Sequence, residues 1–291
     1  MRLSTMKRIL RLLLLLIVAA ALLLVAAQMA MNTPALEAPT VSQSVSERVR
    51  LIYTVGQAQG NRAGVFSKVG DSITASPNFL GPIGEGRYQL GNYGYLQAAI
   101  DHFSSTNARQ GNSFVNPSLA AGVGWSAWAA LDPDFADVTQ CAPGETPLAC
   151  EYRLTRPAFA LIMFGTNDVG YRSPAEYERD MRRIVEVSER MGVVPILSTI
   201  PNRPDMPDRV REFNQIVHQI GQDRAVPVWD YYAALEGLPN FGLARDNIHP
   251  SSPNEWYQDA ADFRSGNLIY GYVIRNLTAL QMLDSVWRLV Q

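Results

Sequence analysis

Five short apolar runs alternate along this chain with longer segments of helical periodicity, and that alternation leaves few folds open. The runs are Val65–Val69, Ser113–Asn116, Ala158–Met163, Val193–Thr199 and Val226–Trp229, the second being the weakest. In GYLQAAIDHF (94–103), Leu96, Ala99, Ile100 and Phe103 share one helical face. SPAEYERDMRRIVEVSERMG (173–192) opens with Ser173 as N-cap, Pro174 at the first helical position and Glu176 completing a capping box. Tyr177, Met181, Ile184, Val185, Ser188 and Met191 recur there at helical spacing, and Gly192 ends the helix. A further helix over about 207–223 gathers Val210, Phe213, Ile216, Val217 and Ile220, and the stretch from about Leu268 to Val290 also reads as helix. Strands alternating with helices predict an α/β fold: a mostly parallel sheet covered on both faces, hence three layers. Such open sheets bind ligands outside the carboxyl ends of their strands. The chemistry is therefore sought just after each apolar run.

The amino terminus is of another kind. Arg2, Lys7, Arg8 and Arg11 precede LLLLLIVAAALLLVAA, and no charge falls between Leu12 and Leu36. A basic flank before an apolar core reads as an export signal, and the run is also long enough to span a bilayer. Either a cleaved signal peptide or an uncleaved membrane anchor over 1–31 places the rest outside the cytoplasm, because the positive flank stays inside. Residues 32–45 (NTPALEAPTVSQSV from 32) read as a polar, proline-containing linker, leaving 46–291 as one domain. With 25 basic and 27 acidic residues and no charge run, nothing points to a nucleic-acid partner. The two cysteines, Cys141 and Cys150, lie close together in CAPGETPLAC, which in an exported chain predicts a disulfide closing a small loop. With no histidine nearby, two thiolates do not fill a zinc site, so no metal is expected.

The segments after the strands carry complementary chemistry. GDS follows the first run, with Ser72; SLAAGVGWSAW follows the second; FGTNDVG follows the third, with Asn167; RDNIHPSS comes after the fifth and a connecting segment. A serine hydroxyl is a weak nucleophile and needs an adjacent base of near-neutral pKa, which points to histidine. Of the three histidines, His102 and His218 sit on helices, whereas His249 sits in a loop with Asp246 three residues before it. Asp246 can orient the ring and stabilise the imidazolium. The Ser72 N–H, a glycine N–H after the second run and the Asn167 amide can serve a developing oxyanion. Asp71 and Asp168 are expected to fix loops by hydrogen bonds. No G-x-S-x-G occurs, and GVGWSA (122–127) matches the dinucleotide pattern G-x-G-x-x-A but follows a weak strand in an exported chain and opens only a short helix.

These four blocks resemble the SGNH hydrolases, the GDSL-type esterases and lipases: GDS at 70–72, a glycine in AGVGW, GTND at 165–168 and DNIH at 246–249. The resemblance spans about 65 to 252. It implies a flavodoxin-like α/β/α fold with a five-stranded, mostly parallel sheet. Carried over residue by residue, it implies Ser72 as nucleophile, His249 as base, Asp246 as orienting acid, and Ser72, Gly124 and Asn167 as oxyanion donors, with Gly122 as the alternative glycine. GDSIT stands where the family name has GDSL, a packing difference rather than a chemical one. No cofactor is implied.

The expected activity is hydrolysis of carboxylic esters through an acyl-enzyme, on a small-molecule or polysaccharide ester, with short acyl groups such as acetyl on carbohydrate favoured. Trp125, Trp128, Tyr171, Trp256 and Tyr257 near the site offer flat apolar faces with polar handles suited to sugars. A lysophospholipase or lipase and an acyltransferase share the same triad. A catalytically silent glycan-binding domain is the alternative from another class.

Overall fold

The structure, a computed structural model, describes residues 36–254 and 259–291. The predicted signal or anchor over 1–31, the start of the linker, and Trp256 and Tyr257 lie outside the described residues. Among the described residues no helix is long and apolar enough to cross a membrane.

Helix α1 (Gln43–Ala58) begins inside the stretch read as a linker, its first turn capped by Ser42, whose side chain accepts the Val45 amide. Strand β1 (Arg62–Gly70) follows, then α2 (Ser72–Ala75) and α3 (Gln97–Ser104). Next come α4 (Pro147–Thr155), β2 (Pro157–Met163), α5 (Pro174–Arg190), β3 (Val194–Ser198), α6 (Pro207–Arg224), β4 (Val228–Trp229) and α7 (Gly271–Arg288). The strands pair in the order β1-β2-β3-β4, all parallel, with Phe66 opposite Phe159, Phe159 opposite Val194 and Leu197 opposite Val228. Strands β2 and β3 are buried along their whole length, as expected for a sheet covered on both faces.

Aromatic contacts identify one face. Phe66 of β1 and Phe159 of β2 pack on Phe103 of α3; Phe159 also stacks on Tyr53 of α1, and Phe103 meets Trp287 of α7. On the opposite face Ser67 of β1 hydrogen-bonds to Glu151 and Thr155 of α4. Tyr152 Oη of α4 lies 3.0 Å from Ser188 Oγ of α5, and Tyr177 of α5 stacks on Phe213 of α6. The result is three layers, α/β/α. The capping box at Ser173 and Glu176 forms as its residues dictate. Cys141 and Cys150 are joined in a disulfide, with Cα atoms 5.3 Å apart, between the preceding loop and α4.

One expectation is corrected. Among the described residues the sheet has four strands, not five, because Ser113–Asn116 is not a strand. Asn112 Oδ1 accepts the Phe114 and Val115 amides at 3.2 and 3.4 Å and curls the chain into a turn. This segment then meets β1 through side chains. Ser113 Oγ accepts the Phe66 amide at 2.9 Å, and Lys68 Nζ donates to the Phe114 carbonyl at 2.7 Å. Backbone pairing is reduced to a single parallel bridge between Gly70 and Ala121, in which Gly70 N donates to Ala120 O and Gly122 N to Gly70 O, each at 3.1 Å. Side chains of local turns occupied the edge before a ladder could extend along it.

Candidate active site

Ser72 stands at the carboxyl end of β1, where the strand turns sharply into α2. The turn is made by its neighbours. Asp71, fully buried, caps α2 by accepting the Ile73 amide on Oδ1 at 2.9 Å. Gly70 has no room for a side chain: a Cβ there would lie 2.4 Å from both the Met163 carbonyl oxygen and Thr74 Oγ1. So the G and D of GDS build the turn, and the S is what it presents.

His249 arrives from 177 residues away, its Nε2 lying 3.0 Å from Ser72 Oγ. Its loop is held as an Asx turn. Asp246 Oδ1 accepts the amides of Ile248 and His249, both at 3.0 Å, while Asn247 takes the left-handed conformation (φ 57°) that asparagine tolerates. The loop closes on itself through Ala244 N to His249 O at 2.8 Å and the Leu243–Pro250 bridge. Asp246 Oδ2 lies 2.6 Å from His249 Nδ1. Partial burial works to raise the Asp246 carboxyl. The hydrogen bond to His249 and the two amides outweigh it and hold the group below the ordinary carboxylate range. An ionised Asp246 can only accept, so the ring proton sits on Nδ1 and the Nε2 lone pair faces the Ser72 hydroxyl. His249 and Asp246 keep 40% and 49% of their side-chain surface, so the pair is open to solvent.

Asn167 stands after β2, and its Nδ2 donates to the Trp125 carbonyl at 2.8 Å, leaving the second amide hydrogen available. That bond ties the β2 loop to the loop after the Gly70–Ala121 bridge. Within that loop the two candidate glycines differ. The Gly122 N–H is donated to Gly70 O, and the Trp125 ring lies against the Gly122 Cα. Gly124 has φ 76°, is exposed, and its N–H meets no acceptor among the described residues. Asp168, also fully buried, accepts the Ala127 amide at 3.1 Å and so pins the same loop. Burial, with Asp71 nearby, pushes the Asp168 carboxyl up to about 7, against the pull of the Ala127 amide and Arg172. Asp71 is likewise raised by burial, opposed by Arg275, the Ile73 amide, Thr166 and His249.

Phe135 packs edge-on between the rings of Trp125 and Trp128 at 5.7 and 4.9 Å, and Tyr171 is 64% exposed with its hydroxyl 2.8 Å from Ser126 Oγ. The other two histidines are engaged elsewhere: His102 stacks on Trp287 with Nε2 3.1 Å from the Ala63 carbonyl, and His218 Nε2 lies 3.3 Å from Asp230. Cys141, Glu145 and Cys150 cluster closely enough to suggest metal ligands, but the two sulfurs are bonded to each other and offer no thiolate. No residue pattern marks the Trp125 carbonyl as a partner for Asn167, since a backbone acceptor carries no residue signature. Nor does any pattern single out Arg275, buried behind the serine turn.

Residues 69–253 match the GDSL-like lipase/acylhydrolase family. No curated protein sequence matches the chain. Among solved structures, a carbohydrate esterase family 3 protein from Talaromyces cellulolyticus superposes with a TM-score of 0.52 at 17% identity, covering 77% of this chain and 97% of its own. A lipase/acylhydrolase from Enterococcus faecalis gives 0.48 at 20% identity, covering 77% of this chain and 95% of its own. Axe2, an acetylxylan esterase from Geobacillus stearothermophilus, gives 0.46 at 20%, covering 76% and 94%.

Proposed function

This chain belongs to the GDSL-like lipase/acylhydrolase family and hydrolyses esters, and from that premise we propose that Ser72, His249 and Asp246 form its catalytic triad. The observation that carries this reading is the continuous relay from Ser72 Oγ to His249 Nε2 at 3.0 Å and from His249 Nδ1 to Asp246 at 2.6 Å. His249 takes the hydroxyl proton as Ser72 Oγ attacks the ester carbonyl, and Asp246 stabilises the imidazolium. The carbonyl oxygen gains negative charge as the bond forms. The Ser72 and Gly124 amides and the free hydrogen of the Asn167 amide are the donors offered to it. His249 then returns the proton to the leaving alcohol, and an acyl-Ser72 remains. Water, deprotonated by the same ring, attacks the acyl carbonyl; the acyl–Oγ bond breaks, the acid leaves, and His249 returns the proton to Ser72 Oγ. Every proton taken is given back, so the residues named suffice for the cycle.

For substrate, the reading is a short acyl ester, foremost acetyl on a carbohydrate outside the cytoplasm. The solvent-open His249–Asp246 pair leaves space for a bulky alcohol portion. Exposed Tyr171 and the Trp125–Phe135–Trp128 cluster lie on the loops that carry Asn167 and Gly124, and aromatic faces suit sugar rings. The location outside the cytoplasm rests on the basic and apolar amino terminus. A panel of nitrophenyl esters from acetyl to octanoyl, an acetylated xylan and a lysophospholipid tests it. Acetyl preference with release of acetate from xylan is expected. Preference for octanoyl with turnover of the lysolipid would overturn the substrate class, and no fluorophosphonate labelling of Ser72 would overturn the triad.

A further inference from the structure

Arg275 is the largest side chain that the fold buries completely, and the triad makes no use of it. It comes from α7, and its Nη2 donates to Thr74 Oγ1 at 2.9 Å across 201 residues of sequence. Thr74 lies in α2, two residues after Ser72, and its hydroxyl sits against the Gly70 Cα. The guanidinium is stacked 4.0 Å over the Phe79 ring, with Trp229 and Tyr231 each at 5.8 Å. Its Nε and Nη1 meet no hydrogen-bond acceptor among the described residues. Asp71 is buried at the other end of the same turn, beside Thr166. Arg275 and Asp71 act on each other as charges.

A cation buried with so few acceptors is a poor stabiliser. Replacing such a group by an apolar side chain of similar volume is often neutral for folding or better. Its distinctive contribution here is direction. Burial leaves the planar guanidinium little freedom, since the Phe79 ring covers one face and Thr74 fixes one nitrogen. Thr74 is in turn wedged on Gly70, and Asp71 holds the Ile73 amide. The turn from Gly70 to Thr74 is thus fastened to α7 at its Thr74 end and braced from within at its Gly70 end. The same helix also meets the loop beyond His249, where Gly271 N donates to Ser251 Oγ at 3.0 Å and Tyr272 N to Ser251 O at 2.9 Å.

We propose that Arg275 is a positioning residue that clamps the serine turn through Thr74, so that the Ser72 hydroxyl and amide stay aimed at the substrate carbonyl. The inference rests on the esterase reading for its effect on rate, though not for the restraint itself.

The test uses Arg275→Met, Arg275→Lys and Thr74→Val in the full chain. Each is measured for turnover of 4-nitrophenyl acetate, rate of fluorophosphonate labelling, and amide hydrogen exchange across residues 71–76. For Arg275→Met, kcat and the labelling rate should fall by about 10- to 100-fold with KM within about threefold, since positioning rather than binding is lost. Exchange at 71–76 should quicken by about tenfold while the rest of the sheet keeps its protection. Arg275→Lys, which keeps the charge but not the fork, should restore part of the rate. Thr74→Val should share the defect, and the double variant Arg275→Met/Thr74→Val should be no worse than Arg275→Met alone. If Arg275→Met fails to fold, Thr74→Val decides by the same readouts. Wild-type rates and wild-type exchange in a folded variant would overturn the proposal, as would activity lost only in proportion to folded protein. If the wild-type chain neither labels nor turns over, it is the esterase reading that fails. The exchange measurement then decides the clamp by itself: faster exchange at 71–76 supports it and unchanged exchange overturns it.

Discussion

Two places in this molecule bring together a histidine, an aspartate and a hydroxyl near the carboxyl ends of the strands. At the first, His249 stands in the middle, 3.0 Å from Ser72 Oγ and 2.6 Å from Asp246. At the second, Asp230 stands in the middle, its Oδ1 accepting from Thr199 Oγ1 at 3.0 Å and its Oδ2 lying 3.3 Å from His218. The residue types are nearly the same and the order differs. A hydroxyl that donates to a carboxylate faces a weak base, and the imidazole beyond cannot reach its proton. A hydroxyl that donates to an imidazole faces a base of near-neutral pKa, with the carboxylate behind it to stabilise the cation. Thr199 is also committed, since its Oγ1 accepts the Tyr232 amide at 2.8 Å. The second cluster joins β3, β4 and α6; the first has the order that the proposed chemistry requires.

The largest effects should come from breaking the first cluster. Ser72→Ala and His249→Ala should each lower kcat by about 10⁴- to 10⁶-fold in steady-state ester hydrolysis, and combining them should add little, because triad members act as a unit. Asp246→Asn should cost about 10³- to 10⁴-fold, by disturbing the tautomer rather than removing the base. Comparable losses in His218→Gln or Thr199→Val would erase the contrast between the clusters. Asn167→Ala comes next: kcat should fall by about 10²- to 10³-fold with KM little changed, as for one oxyanion donor. A change in KM alone would make Asn167 a ground-state contact.

The Asp168 carboxyl is raised to about 7 by burial, so the folded chain keeps a proton that the unfolded chain has lost above the ordinary value of 3.8. Stability should therefore fall as pH rises from about 4 through 7. Asp168→Asn should flatten that part of the Tm–pH curve, and an unchanged slope in thermal melts would count against the buried carboxylate. The smallest effect belongs to the second cluster. The hydrogen bond to Asp230 raises His218, so its contribution to stability is fully present below the ordinary value of 6.5 and is lost as pH climbs through the raised one. His218→Gln should lower Tm slightly in acid and leave it unchanged in alkali, with kcat at the wild-type level throughout. The half-exposed pair keeps that difference small.

The α/β class and the positions of the long helices were legible in the residues alone, because buried strands and amphipathic helices leave a periodicity that any compact packing must respect. The helix over 173–192 and its capping box are local physics and form as the residues dictate. GDS, GTND and DNIH were legible for a similar reason. Their turns are built from neighbours, as Asp71 with Ile73 and Asp246 with His249 demonstrate. Whatever depends on partners distant in sequence emerged only in the fold. Ser113–Asn116 carries apolar residues and reads as a strand, yet Asn112 and Ser113 spend the edge of β1 on side-chain bonds. Gly122 and Gly124 are equivalent as letters, and only the pairing with Gly70 distinguishes their N–H groups. His218 and His249 each have an aspartate within reach, and only the folded chain determines which one has a serine on its far side. Arg275 reads in sequence as one polar residue on a helix; that it lies buried against Thr74 is fixed by α7 packing onto a turn 201 residues earlier. Periodicity and local hydrogen bonds are properties of a segment, whereas the order of groups in a relay belongs to the assembled fold.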